Sequence, residues 1–295
     1  MFLGKYKMML GSDAKKIYGS KDYYRKRLKV LENERYIKRL NRMYIKLDDK
    51  GTKIVKEFGY DYSFNCRKKE YMDRINEIAK IAALTINSNI DFMASWSIKD
   101  NNIYTQTSRK YIGKLKYQDK VRVAYYISKT RKTIYMSQVI NDINKVLDYN
   151  DIIIFLENMN LLNNNQKLIF GKESTLIIKP TQDNLEIMRY LHNIDLFQIA
   201  EKIYKDKEVL LSNWKKADYM LNDKTYIFVM PFIDTEKLNR LNIFFRNNRE
   251  TIRKIDIITL KENKDKINEI LTKKVNIIEL DNFLGGINEG DVKKI

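Results

Sequence analysis

The sequence predicts a mixed α/β protein: a basic N-terminal segment of short helices and a hairpin over residues 1–60, a helix over 61–88, and an α/β domain over 89–295. Three observations carry this reading. The chain has 295 residues, more than the ~100–200 that one domain ordinarily takes. Hydrophobic residues make up 44 %, enough for a core and too many for global disorder. Beyond residue 88, β-branched runs alternate with helical periodicity, the pattern of a sheet covered by helices.

Composition excludes several classes. No apolar run approaches the ~18 residues of a membrane span, and the N-terminus lacks a signal-peptide core. A cytoplasmic protein with no membrane partner is therefore expected. One cysteine, Cys66, excludes an internal disulfide framework and a zinc ribbon, and one histidine, His192, excludes a histidine-rich metal site. No cofactor is expected.

Lys and Arg number 56 against 38 Asp and Glu, a net charge of +18. Asn, Ile and Lys together supply 109 residues, as in an AT-rich genome, which enriches Lys without any demand from binding. The distribution of charge is more informative than its total. Residues 1–60 carry a net +10 and residues 109–132 a net +8, while 61–108 and 133–295 are each balanced. Codon bias would spread the excess evenly. Concentration in two segments is the footprint of a polyanion partner, most often nucleic acid. The plain alternative is a pair of solvated basic faces.

In the N-terminal segment Ser12 can cap a short helix through Tyr18, ended by Gly19. Ser20 caps a second helix, Lys21–Asn33, with Tyr24, Leu28 and Leu31 on one face. Asp22, Tyr23, Lys26 and Lys29 point away from that face, flanked by Arg25 and Arg27. Tyr36 and Ile37 open a strand, Asn41-Arg42 suits a turn, and Met43–Leu47 returns. Asp48 caps a closing helix, Lys50–Phe58, with Ile54 and Val55 inward. Two helices, a basic-tipped hairpin and a capped helix form the layout of a winged helix-turn-helix. Such a fold sets one helix in a major groove and the wing against flanking backbone. Arg67–Asn87 follows as an amphipathic connecting helix, with Met72, Ile75, Ile78, Ala79, Ala82 and Ile86 inward. It could serve dimerisation, so a homodimer is among the expected assemblies.

Further strands are expected at Phe92–Ile98, Ile103–Thr107, Val121–Ser128, Asp151–Leu156, Thr175–Ile178, Tyr226–Met230, Ile255–Leu260 and Val275–Leu280. Helices are expected at Met136–Leu147, Gln182–His192, Leu196–Tyr204, Glu236–Phe244 and Asn263–Leu271. His192 has no Ser or Cys partner pattern and suits a surface or capping role. Neither GxxxxGK[ST] nor GxGxxG occurs. A metal-dependent nuclease needs two or three carboxylates around Mg²⁺ and a Lys near the phosphate. The order Val121–Lys129, helix, Asp151–Leu156 resembles the restriction-endonuclease-like core, whose strand ends in Glu/Asp-x-Lys after an earlier Asp. Ile127 stands where that carboxylate belongs, with Asp119, Asp100 and Asp91 as candidate earlier acids. The expectation is a degenerate scaffold of that kind, with no catalytic or metal-binding residues.

Gly19-Ser20, Arg25-Lys26-Arg27-Leu28-Lys29-Val30-Leu31 and Arg35-Tyr36-Ile37-Lys38-Arg39-Leu40 together resemble the winged helix of the replication-relaxation family of plasmids, phages and integrative elements. That resemblance covers roughly residues 8–58. It implies a sequence-specific double-stranded DNA-binding protein of a mobile element, acting in replication, transfer, partition or their control. Tyr23, Arg25, Lys26 and Lys29 are then the groove-facing residues, and Lys38, Arg39 and Arg42 the wing contacts. Arg109, Lys110, Lys114, Lys116, Lys120, Arg122, Lys129, Arg131 and Lys132 form a second phosphate-contacting surface. Three other readings stay open: a ligand-responsive transcriptional regulator, a Mg²⁺-dependent nuclease or nickase, and a basic scaffold that contacts protein more than DNA.

Overall fold

A computed structural model describes residues 1–19, 21–64, 69–86, 88, 90–98, 110–117, 120–131, 133–145, 151–162, 174–193, 195–222, 225–247 and 254–281. Mixed α/β architecture is what it shows. The chain divides into two compact units, one from Met1–Thr105, Arg109–Tyr126 and Pro180–Glu186, the other from Gln106–Ser108, Ile127–Lys179 and Ile187–Ile295.

In the first unit, α1 (Phe2–Tyr6) leads into β1 (Met8–Leu10), a 3-10 turn at Gly11–Asp13, α2 (Ala14–Tyr18) and α3 (Lys21–Asn33). The hairpin β2 (Ile37–Leu40) and β3 (Tyr44–Leu47) follows, then α4 (Asp49–Glu57). The sheet order is β1-β3-β2, antiparallel throughout, with Met9 opposite Ile45 and Ile37 opposite Leu47. Met8 and Ile45 are fully buried. Gly51 is required by close approach: a Cβ there would lie 2.1 Å from the Tyr36 carbonyl oxygen. That same carbonyl accepts the Asp48 N–H at 3.0 Å, so α4 is clamped onto the strand entry.

Several details depart from expectation. Ser12 lies inside the 3-10 turn, and Asp13 takes the N-cap position of α2. Asp48 does occupy the N-cap of α4, but without a side-chain capping bond; its carboxylate takes Lys38 instead, at 2.7 Å. Val55 is buried, whereas Ile54 is exposed, because α4 shows the sheet a stripe too narrow for both. β1 was not anticipated: three residues are too few for a strand alternation to register.

The helix α5 (Lys69–Thr85) is buried on nearly every side from Ile75 onward. It packs on β1, β4 (Asp91–Ala94), α1 and α2. Tyr6 donates its hydroxyl to the Phe92 carbonyl at 2.9 Å. The Tyr62 hydroxyl donates to the Lys7 carbonyl at 3.1 Å and accepts the Leu47 N–H at 3.2 Å. Burial pushes the Tyr62 hydroxyl up to about 12, so it stays a neutral donor at any physiological pH. β5 (Tyr111–Tyr117) pairs antiparallel with both β4 and β6 (Lys120–Ile127). Gly113 sits at a register shift where a Cβ would come within 2.2 Å of the Met93 carbonyl oxygen. β5 too was not anticipated, because Gly113, Lys114 and Lys116 break its apolar run.

In the second unit, α6 (Thr133–Lys145) precedes β7 (Asp151–Leu156), which runs parallel to β8 (Ser174–Ile178). The short β12 (Ile233–Asp234) adds antiparallel to β8, and α9 (Thr235–Asn247) packs on β8. Another sheet has the order β14-β13-β11-β10-β9. β11 (Thr225–Val229), β13 (Lys254–Thr259) and β14 (Asn276–Glu279) are parallel. β9 (Val209–Leu211) and β10 (Tyr219–Leu221) extend it antiparallel. Ile227, Phe228, Ile257 and Ile258 are fully buried, as a sheet covered on both faces demands. The remaining described helices are α7 (Gln182–Asn193), α8 (Leu196–Ile203) and α10 (Lys264–Ile270).

Candidate nucleic-acid interface

Thirteen residues of α3 divide sharply by face. Leu28 is 3 % exposed and anchors the helix, with Tyr24 and Leu31 half-buried beside it. Tyr23, Arg25, Lys26, Arg27 and Lys29 are exposed. Lys26 and Lys29 are three apart and so adjacent on the helix surface. Neither forms an ion pair among the described residues. Arg25 hydrogen-bonds the Tyr24 side chain, which raises its pKa further, and its guanidinium lies 6.0 Å from the Tyr24 ring centre. Tyr23, 55 % exposed, meets the Tyr18 ring edge-on at 6.0 Å. An outward tyrosine among unpaired cations combines a stacking surface with phosphate-seeking charge.

The hairpin residues behave differently from one another. Lys38 is held by Asp48 at 2.7 Å. That hydrogen bond, before all other causes, keeps the Asp48 carboxyl below its usual range. Lys46 stands directly across from Lys38; burial lowers its pKa, and the Lys38 charge adds to the effect. Arg39 donates its Nε–H to Glu32 of α3 at 3.1 Å. Arg42 is exposed at the tip, where Asn41 has φ 47° and Arg42 φ 61°. A left-handed residue other than Gly costs about 1 kcal/mol. The tip is closed by the Met43 N–H on the Asn41 carbonyl at 2.8 Å. Between the tip and α3 lies a cleft of about 510 Å³, onto which Arg25, Arg39 and Arg42 all open. Its lining residues Ser12 and Met43 are read from the sequence only as a helix cap and a strand start, and Gly11 is not singled out. The only signal was the Asn41-Arg42 turn beside them.

The expected second surface does not assemble in the same way. Arg109 and Lys132 lie outside the described residues, as do Asp100, Asp119 and the Ile103–Thr107 strand. Lys114 and Lys116 alternate on β5, with Lys116 in register with Asp91 of β4. Lys110 is half-buried and Lys120 exposed. Arg122 is a correction: it is 5 % exposed and donates Nε–H to the Tyr117 hydroxyl at 2.9 Å. β6 is covered on both faces from Arg122 on, so alternation cannot deliver a solvent-facing charge there. Lys129 and Arg131 fall in the second unit. The Lys129 N–H is bonded to the Glu157 carboxylate at 2.9 Å, and Arg131 lies 4.6 Å from the Tyr135 ring centre. Ile127 is fully buried. Among the described residues no three His, Cys, Asp or Glu side chains are grouped to hold a metal, and no helix is long and apolar enough to cross a membrane.

The chain is 28 % identical over 137 residues to small ribosomal subunit protein uS2 of Helicobacter acinonychis (strain Sheeba), covering 44 % of this chain and 53 % of that protein. The same identity over the same length holds for uS2 of Helicobacter pylori (strain Shi470), covering 49 % of that protein. The chain thus spans about half the length of the curated relatives it matches. No family model matches the chain, and no solved structure matches it.

This similarity corrects the sequence reading. The relatives are ribosomal, so the replication-relaxation resemblance does not hold. With it fall the double-stranded DNA partner, the plasmid or mobile-element setting and the role in transcription control. The physical reason is plain in Arg25–Leu31 and Arg35–Leu40. Such motifs encode a cationic helix beside a hairpin, and cations seek phosphate whichever nucleic acid carries it.

Proposed function

We propose that this protein binds structured RNA and works on or beside the small ribosomal subunit. The observation that carries the reading is the similarity to uS2. Lys26 and Lys29 of α3, exposed and without an ion pair among the described residues, support it, since ribosomal RNA presents dense phosphate to such a face. The order α1-β1-α2-α3-β2-β3 with sheet order β1-β3-β2 supports reading residues 1–60 as a winged helix with α3 as its contact helix. A-form RNA has a major groove too narrow for side chains to read. On this reading α3 therefore follows shape and phosphate rather than base sequence. The β6-α6-β7 segment is read as scaffold, because the buried Ile127 leaves that strand end without a carboxylate.

The test is binding of the full-length protein to small-subunit ribosomal RNA and to duplex DNA of equal length across a salt series. The expected result is preferential RNA binding whose log-log salt slope falls by about 1 for each α3 lysine replaced. Equal affinity for RNA and DNA, or a slope indifferent to Lys26→Ala and Lys29→Ala, contradicts the proposal.

A further inference from the structure

The cleft between α3 and the hairpin tip has a composition that a phosphate-tracking surface does not need. Its lining combines Leu10, Tyr24 and Met43 with Arg25, Arg39 and Arg42, and Met43 is 58 % exposed. At about 510 Å³ it falls within the usual range for small-molecule sites, ~300–1,000 Å³. A duplex backbone would gain nothing from the apolar part of that lining. The group that matches is planar and apolar on its faces, with an anion attached to one edge.

The lining is also built in advance. The Gly11 N–H donates to the Met43 carbonyl at 2.9 Å, tying the turn after β1 to the tip. Glu32 occupies only the Nε of Arg39. Arg39 Nη1 leans over Gly11, where an added Cβ would lie 3.6 Å from it. Arg42, left-handed at the hairpin tip, adds the third guanidinium to the lining. Planar guanidiniums bind phosphate through paired N–H groups and stack on aromatic rings.

We infer that this cleft receives a single unstacked nucleotide of an RNA strand, its base against Tyr24 and Met43 and its phosphate between Arg39 and Arg42. The inference rests on the RNA-binding reading and deepens it. It turns a nonspecific basic face into a reader of bulges, loops or strand ends, the places where RNA exposes unpaired bases.

The experiment is fluorescence anisotropy of the full-length protein with a labelled RNA duplex, with the same duplex carrying one unpaired nucleotide, and with adenosine monophosphate as competitor. The bulged duplex is expected to bind ~10-fold tighter than the perfect one, the scale of one stacked base. Gly11→Leu, which fills the cleft without altering charge, and Arg42→Gln, at an exposed position, should each erase that preference. Gly11→Leu should leave affinity for the perfect duplex within about twofold, since the α3 charges are untouched. Equal wild-type affinity for both duplexes overturns the cleft assignment while leaving RNA binding intact. A preference that survives both variants overturns it as well. Adenosine monophosphate binding as tightly as the bulged duplex overturns the strand as source and marks a free-nucleotide site. No binding of either duplex overturns the inference together with the reading beneath it.

Discussion

Residues 1–60 and 109–132 carry similar net charge, +10 and +8, yet the fold uses them differently. In α3 the cations face water: Arg25, Lys26, Arg27 and Lys29 are exposed around the single buried anchor Leu28. In β5 and β6 the cations part company: Lys116 and Lys120 stay exposed, whereas Arg122 is withdrawn from solvent. Arg122 is buried against Tyr117, and Lys116 stands opposite Asp91. The difference is one of period. A helix packed on one side leaves most of its circumference in solvent, whereas a strand covered on both faces leaves almost nothing. Charge counted along a sequence is therefore a poor guide to charge presented at a surface.

Substitutions can break this contrast or sharpen it. The largest effect is expected at Arg122→Ala, which removes the buried partner of Tyr117 and opens a cavity. Unfolding in urea should show a loss of ~3 kcal/mol, with the RNA affinity of the folded protein unchanged. Gly51→Ala forces a Cβ against the Tyr36 carbonyl and should cost ~2 kcal/mol by the same measurement. The paired change Lys26→Ala with Lys29→Ala should leave the urea midpoint in place while weakening RNA binding by ~2 kcal/mol at low salt. Lys116→Ala should move either quantity by no more than ~0.5 kcal/mol.

A further small effect concerns pH. The folded Asp48 carboxyl titrates below its ordinary value because Lys38 hydrogen-bonds it. A depressed carboxyl contributes stability that is present above the unfolded pKa and lost as pH falls through the folded one. Lys38→Met should therefore lower stability slightly near neutrality, by under ~1 kcal/mol. The gap from wild type should close as pH falls below about 4. A gap that widens on acidification would show that Asp48 is not the group involved.

Much of the secondary structure was legible where the apolar period was clean. α3 spans Lys21–Asn33 and β7 spans Asp151–Leu156, as their patterns require. The hairpin was legible from turn chemistry, since Asn41 and Arg42 both hold positive φ. What stayed hidden has physical reasons. β1, β9 and β10 each have three residues, too few for a period. β5 mixes lysines into its apolar run. The exposed residues of α3 follow from its helical face, but the cleft beside it forms only when Gly11, Leu28 and Met43 meet across three elements. The kind of polymer proposed for α3 lies beyond the local motif, because a cationic helix does not encode the sugar of its partner.

The most direct test of the contrast is ultraviolet cross-linking of the full-length protein to small-subunit ribosomal RNA, with the joined peptides identified by mass spectrometry. The expected cross-links fall on the α3 peptide that carries the exposed Tyr23, and disappear with Lys26→Ala and Lys29→Ala. Cross-links concentrated on Lys110–Tyr117, with none on α3, would contradict the assignment of the interface.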